Sequence, residues 1–197
     1  VDPSPVITCV GVMNDYSKAI TMKIKEEGSV LFLAGERSDE LGGSVYYDLF
    51  DETGGNIPII DFEKERNNIY AVIAAINQCL LMSCHDVSDG GFVTTISEMI
   101  LGGNADGKIG AELDIGFSKL SPEKILFGEG SGFIMEVNPS NVDDLKKIFK
   151  FYGIELVEIG KTIGSSLIIS NGKKKLVDLP IKKIKQAWTT GFVEAFK

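Results

Sequence analysis

From residue 29 onward, short apolar runs of strand type alternate with stretches of helical period, and no low-complexity linker interrupts them. That order admits few architectures, because each helix must return the chain across a face of one shared sheet. "SVLFLAGE" (29–36) is bounded by glycine and charge and suits a buried strand. "SDELGGSVYYDLF" begins a helix after Ser38 or Asp39, with Gly42 and Gly43 in its first turn. A helical glycine costs up to ~1 kcal/mol relative to alanine, so the pair points to close approach to a strand or a ligand. "DFEKERNNIYAVIAAINQCLLM" is the longest helical pattern, with Ile69, Val72, Ile73, Ile76 and Leu80 on one stripe. A short strand, a turn and a helix from about Gly90 to Leu101 follow. Further on come the strand "KIGAELDI", the helix "SPEKILFGE" capped by Ser121 with Glu123 behind it, and the strand "GFIMEV". The helix "NVDDLKKIFKFYG", the strand "LVEIGKTI" and a hairpin turning on Asn171-Gly172 lead to a last helix that starts at Pro180. No repeat of 20 to 50 residues is visible. The expected fold is α/β (α+β): three layers, α/β/α, with a mixed sheet.

The opening is different in kind. "PVITCVGVM" (5–13) and "KAITMKI" (18–24) read as strands joined through "NDYS". Residues 27–197 are expected to form one compact domain, and residues 1–26 the end of a preceding one. The start at Val1 rather than Met reads as a cut through a larger protein.

A hydrophobic fraction of 44% and a mean hydropathy of +0.11 suit a globular chain with a filled core. The formal charge of -8 argues against a nucleic-acid surface, which needs a basic patch. "NGKKKL" reads as a hairpin tip and "IKKIKQ" as the solvated face of the last helix. Cys9, Cys79 and Cys84 cannot all pair within the chain, and with a single histidine they make no zinc set. Buried free thiols in a reducing cytoplasm are expected. No signal peptide or membrane-length apolar run is present.

Three stretches can carry chemistry. In "HDVSDGGF" a strand ends near Cys84 or His85 and a helix begins after Asp89, so free N–H groups and the positive helix end gather where phosphate binds well. Asp86 can offer a hard oxygen to Mg²⁺, and Ser88 a hydroxyl to a phosphate or ribose. The alternative is structural: Asp89 or Ser88 as the N-cap, with Gly90-Gly91 allowing tight packing of strand and helix. "DELGGSVYY" repeats the acid, glycine and serine pattern at a helix start and has the same two readings. "LFGEGSGFIMEV" places its glycines between helix and strand, the reverse of a phosphate loop, and reads as a chain turn.

Together, in this order and spacing, "DELGGSVYY", "HDVSDGG" and "LFGEGSG" resemble phosphoribosylformylglycinamidine synthase, in the last domain of its synthetase portion. "PSPVITCVGVMNDYSKAITM" resembles the end of the preceding domain in that family, and "IGKTIG" with its hairpin resembles the closing part. The resemblance implies the C-terminal-domain fold of aminoimidazole ribonucleotide synthase and a part in an ATP-dependent ligase of purine synthesis. That family converts formylglycinamide ribonucleotide, with ATP and glutaminase-derived ammonia, to formylglycinamidine ribonucleotide. It implies Asp86 as a magnesium ligand and Ser88 as a contact to an auxiliary ATP or ADP, with Gly42, Gly43 and Ser44 as a second contact. It names no catalytic residue in this chain. The implied partners are the upstream domains of the same synthetase, a glutaminase subunit or domain and the ribonucleotide substrate, in the cytoplasm, without nucleic acid or membrane. One departure stands out. Family members commonly read "GRF" where this chain has "GSGFIM", so the arginine ahead of the apolar strand is missing.

Overall fold

The computed structural model describes residues 6–194. Its strands are β1 (Val30–Ala34), β2 (Leu81–Asp86), β3 (Gly110–Asp114), β4 (Phe133–Val137), β5 (Leu156–Ile163), β6 (Ser166–Asn171) and β7 (Lys174–Pro180). Its α-helices are α1 (Val45–Asp48), α2 (Phe62–Asn77), α3 (Gly91–Leu101), α4 (Pro122–Phe127), α5 (Val142–Phe151) and α6 (Ile181–Glu194). The seven strands form one sheet in the order β2-β4-β1-β5-β3-β6-β7. The pair β3–β6 is parallel and the other neighbours are antiparallel, so the sheet is mixed as expected.

Alternation along β1 sorts its side chains to opposite faces. Leu31 and Leu33 join a core with Phe92, Ile96 and Met99 of α3 and Ile125 of α4. Phe32 and Ala34 join a second core with Ala71, Val72 and Ala75 of α2 and Leu145 and Phe149 of α5. Helices therefore cover both faces, which makes the three layers. Phe32, Phe92 and Phe149 are fully buried, and each contributes about 2–3 kcal/mol through burial alone.

Local signals explain most helix boundaries. Asp61 caps α2, its carboxylate accepting from the Glu63 and Lys64 N–H groups. Pro122 opens α4, with Ser121 as the N-cap residue, although the Ser121 hydroxyl makes no capping hydrogen bond.

Four local expectations change. No strand forms within 6–13 or 18–24: Val6, Ile7, Val10 and Val12 stand exposed, and Thr21 makes a single bridge to Ser83. The helix expected after Ser38 or Asp39 is delayed, because Ser44 is the N-cap of α1 and both glycines lie outside the helix. The buried face of α2 is Asn68, Ala71, Val72 and Ala75, while Ile69 and Ile73 point outward and Leu80 lies beyond the helix, which ends at Asn77. In the hairpin Asn171 pairs with Lys174. The two turn residues are thus Gly172-Lys173, with Gly172 at φ +58 as a type II′ turn requires.

One buried acid locks the chain leading into β1 onto the sheet. Glu136, on β4 and 0% exposed, accepts hydrogen bonds from the N–H groups of Lys25 and Glu26 and from the Ser83 hydroxyl. Removing it strands three donors. Glu136→Ala is therefore expected to lower unfolding free energy by about 3 kcal/mol in urea titration. Glu136→Gln, which retains an acceptor oxygen, should cost less; a loss below about 1 kcal/mol for alanine would contradict the role.

Candidate functional site

The sheet brings the three chemical stretches together. Ala34 at the end of β1 and Asp86 at the end of β2 both lie opposite Phe133 at the start of β4. The segments that follow β1 and β2 and the one that precedes β4 therefore share one end of the sheet. Ligands of open α/β sheets bind at such carboxyl ends.

A single carboxylate ties them. Glu129 Oε1 accepts from the N–H of Val45, the first residue of α1, at 2.9 Å and from the N–H of Gly90, the N-cap of α3, at 2.8 Å. An acid at two helix starts meets their free N–H groups and positive dipole ends. Around this tie the backbones approach closely. A Cβ on Gly91 would stand 2.7 Å from the Phe127 carbonyl carbon and 2.8 Å from the Gly128 oxygen, so this glycine packs α3 against the end of α4. Tyr46 of α1 stacks on Phe127, with ring centroids 4.3 Å apart. The Val87 N–H donates to the Gly132 carbonyl at 2.8 Å.

The expected site residues fall into two groups. Asp86 and Ser88 are exposed at the mouth of the turn after β2. His85 orients Asp86: its Nδ1 lies 3.1 Å from Asp86 Oδ1 and its Nε2 3.0 Å from Glu98 Oε2. Gly42 and Ser44 are buried and internally committed. The Gly42 N–H donates to the Asn56 carbonyl, and the Ser44 hydroxyl donates to the Leu41 carbonyl while accepting from the Tyr47 N–H. Gly43, at φ +74 with open space around it, is the exposed member of that trio.

Two features of the α3 start differ from the sequence reading. Its N-cap is Gly90, in the left-handed region, not Asp89 or Ser88. Its first amides are already engaged, Gly90 by Glu129 and Gly91 by the Ser88 carbonyl. Among the described residues no group of three or more His, Cys, Asp or Glu is placed to hold a metal ion. Asp86 thus offers one hard oxygen donor, a set that fits a Mg²⁺ completed by phosphate oxygens, water and other protein segments, and not a self-sufficient cage.

Arg37 answers the missing arginine. Its guanidinium donates to the carbonyls of Gly128 and Ser131. A Cβ on Gly132 would come within 2.9 Å of Arg37 Nη2. The cation reaching this corner therefore comes from the segment after β1. Burial pulls the Arg37 guanidinium down to about 10, opposed by Glu40 and Glu65, so it is charged at neutral pH. Sequence reasoning missed Glu129 and Arg37. Their only local signal was proximity to the glycine stretches, and their partners lie far away along the chain.

Residues 26–170 match the family described as AIR synthase related protein, C-terminal domain. The chain belongs to that family. It is 40% identical over 199 residues, and over its full length, to the phosphoribosylformylglycinamidine synthase subunit PurL of Methanothrix thermoacetophila. It spans about a quarter of that relative's length, 25%. Among solved structures it resembles Thermotoga maritima PurL complexed with FGAR, with a TM-score of 0.74 at 16% identity over 86% of this chain and 30% of that one. The same protein complexed with ADP gives a TM-score of 0.68 at 15% identity over 86% and 27%. At such identities these two structures establish the fold.

Gly91→Ala meets both a strained φ of +72 and backbone atoms, and should cost about 3 kcal/mol by urea titration. Gly43→Ala meets only its φ and should cost about 1 kcal/mol; equal costs would contradict the close approach at Gly91. Burial, then Asp86, pushes the Cys84 thiol from 9.0 up to about 12. The folded chain thus holds that proton after the unfolded chain has lost it, and this contribution to stability is full below pH 9 and is lost as pH rises toward 12. Cys9 and Cys79 are exposed, against the expectation of buried thiols, so native-state thiol labelling at pH 8 should modify them and spare Cys84 until the chain unfolds.

Proposed function

We propose that this chain is the C-terminal part of the synthetase of phosphoribosylformylglycinamidine synthase. In that enzyme ATP activates the amide oxygen of formylglycinamide ribonucleotide, and glutamine-derived ammonia completes the amidine. The observation that carries this reading is 40% identity across the whole chain to a PurL subunit. The convergence of all three motifs on Glu129 supports it, because it makes one surface of stretches scattered over the sequence. PurL of Thermotoga maritima, similar in fold, is described in complexes with FGAR and with ADP.

On this reading the chain contributes part of an auxiliary nucleotide site. Asp86, held by His85, would ligate Mg²⁺, and Ser88 would contact the nucleotide phosphate or ribose. Gly43 is the accessible contact after β1, since the Gly42 amide and the Ser44 hydroxyl are already paired. Bound Mg²⁺ would supply charge neutralisation to the phosphates. The upstream domains of the synthetase would supply the remaining ligands, and residues 1–26 would be the end of the preceding one. The exposed Val6, Ile7, Val10 and Val12 support that assignment, because such a run seeks a partner surface. A glutaminase subunit or domain, the cytoplasm and the ribonucleotide substrate complete the proposal.

A second reading is favoured by the occupied start of α3. With a carboxylate already on the Gly90 amide, this end of the sheet can serve as a structural module that holds the enzyme together. Calorimetric titration of Mg-ADP separates the two, using this chain and the same chain extended upstream. The nucleotide reading expects saturable binding by the extended chain, weakened at least tenfold by Asp86→Ala with thermal stability unchanged. Binding indifferent to Asp86→Ala in the extended chain would overturn the assignment.

A further inference from the structure

Helices α2 and α5 lie over the same face of the sheet and share a core, yet their outer sides differ. Helix α5 turns Asp143, Asp144, Lys146, Lys147 and Lys150 to solvent, as a solvated helix does. Helix α2 turns out Phe62, Ile69, Tyr70 and Ile73, spaced i, i+7, i+8 and i+11 along one side, and all four are exposed. The charges on that side, Glu63 and Arg66, pair with each other at 3.8 Å, and none follows between Ile69 and Asn77. Ile57, Ile59 and Ile60, in the stretch that leads into α2, are exposed as well. The Gly42 N–H nevertheless ties that stretch to the fold through the Asn56 carbonyl.

A run of large apolar side chains with few charges among them marks a protein interface rather than a solvated surface. Where the incoming chain meets the fold indicates what covers it. Lys18 Nζ donates to the Asn77 carbonyl in the last turn of α2 at 3.1 Å, Ile20 packs on the core of α2 and α5, and Thr21 bridges to Ser83. The chain ahead of these contacts therefore leaves the body at one end of the apolar side. From Lys18 back to Val6 it reaches at most about 40 Å, and α2 is about 24 Å long, so a domain folded ahead of residue 6 is tethered within reach of the whole side. Val6, Ile7, Val10 and Val12, on the way, are exposed and apolar too. The chain spans 25% of its Methanothrix thermoacetophila relative, and on the reading proposed above the rest of the synthetase lies ahead of it.

We propose that the outer side of α2, with the Ile57–Phe62 stretch, is the surface on which the preceding domain of the synthetase docks. The identity of that partner rests on the reading of this chain as the C-terminal part of the enzyme. The partner surface is apolar and uncharged, because a charge set against Ile69, Tyr70 and Ile73 would lose its water without gaining a counter-ion. The docking side shares no residue with the turn of Asp86 and Ser88.

Hydroxyl-radical footprinting read by mass spectrometry tests it, on this chain and on the same chain extended upstream to the length of its relatives. Phe62, Tyr70 and Ile73 should label freely in this chain and roughly tenfold less in the extended one, as in the core of an interface. Acylation of Lys147 and Lys150 on α5 should be the same in both. Ile69→Lys combined with Ile73→Lys, at exposed positions, should leave the thermal stability of this chain unchanged and restore labelling of Phe62 and Tyr70 in the extended chain. Equal labelling of the α2 side in both chains would overturn the proposal. Protection in this chain alone, rising with concentration alongside dimers in sedimentation, would overturn it in favour of a second copy. Protection that appears only when a glutaminase subunit is added would overturn it in favour of that subunit. Assay of the extended chain with formylglycinamide ribonucleotide, ATP and ammonium keeps the two readings apart. Activity without protection overturns the docking side alone, and protection without activity supports the docking side and overturns the enzyme reading.

Discussion

The contact on which this end of the molecule depends is the Glu129 carboxylate, shared by the amides of Val45 and Gly90. Two helix starts facing one corner would present unpaired N–H groups and two positive dipole ends to each other. An acid between them turns a repulsive arrangement into an attractive one. It also fixes the distance between the segment after β1 and the turn after β2, since both lean on the same oxygen. Close packing at Gly91 and the stack of Tyr46 on Phe127 hold the acid in place.

That tie has a chemical consequence. A carboxylate at the start of α3 leaves less of the helix dipole for a phosphate, so an anion here needs a cation alongside it. On the proposed reading Asp86 would hold that cation, as an exposed acid at the carboxyl end of β2 with its orientation set by a histidine that also touches Glu98. Arg37 performs the reverse service on the other side of the corner, its guanidinium meeting two main-chain carbonyls close to Gly132. Charge at this end of the sheet is thus apportioned residue by residue.

Much of the fold was legible because period and punctuation agreed. All seven sheet strands and the helices α2 to α6 were anticipated within a few residues, and the layers follow from alternation along β1. The failures have physical causes. Helix α2 has two apolar faces, and periodicity does not say which one meets the sheet; small residues and Asn68 do, leaving Ile69, Tyr70 and Ile73 outside. The runs 5–13 and 18–24 have β-type sequence, but a strand needs a partner, and the part within the described residues finds only the Thr21–Ser83 bridge. Ser38, Asp39 and Ser44 are all competent caps, and the choice of Ser44 depends on distant contacts, among them Val45 with Glu129. Asp86 and Ser88 stood out because their motif is local. Glu129 and Arg37 did not, because each acquires its meaning only when chain segments remote in sequence meet.

Amide hydrogen exchange in the Glu129→Ala chain tests the shared acid most directly. If one oxygen serves both helix starts, the Val45 and Gly90 amides lose protection together, while the β1 amides between Val30 and Ala34 keep theirs. Faster exchange at only one of the two, or at neither, would contradict a common tie and reduce Glu129 to a cap on a single helix.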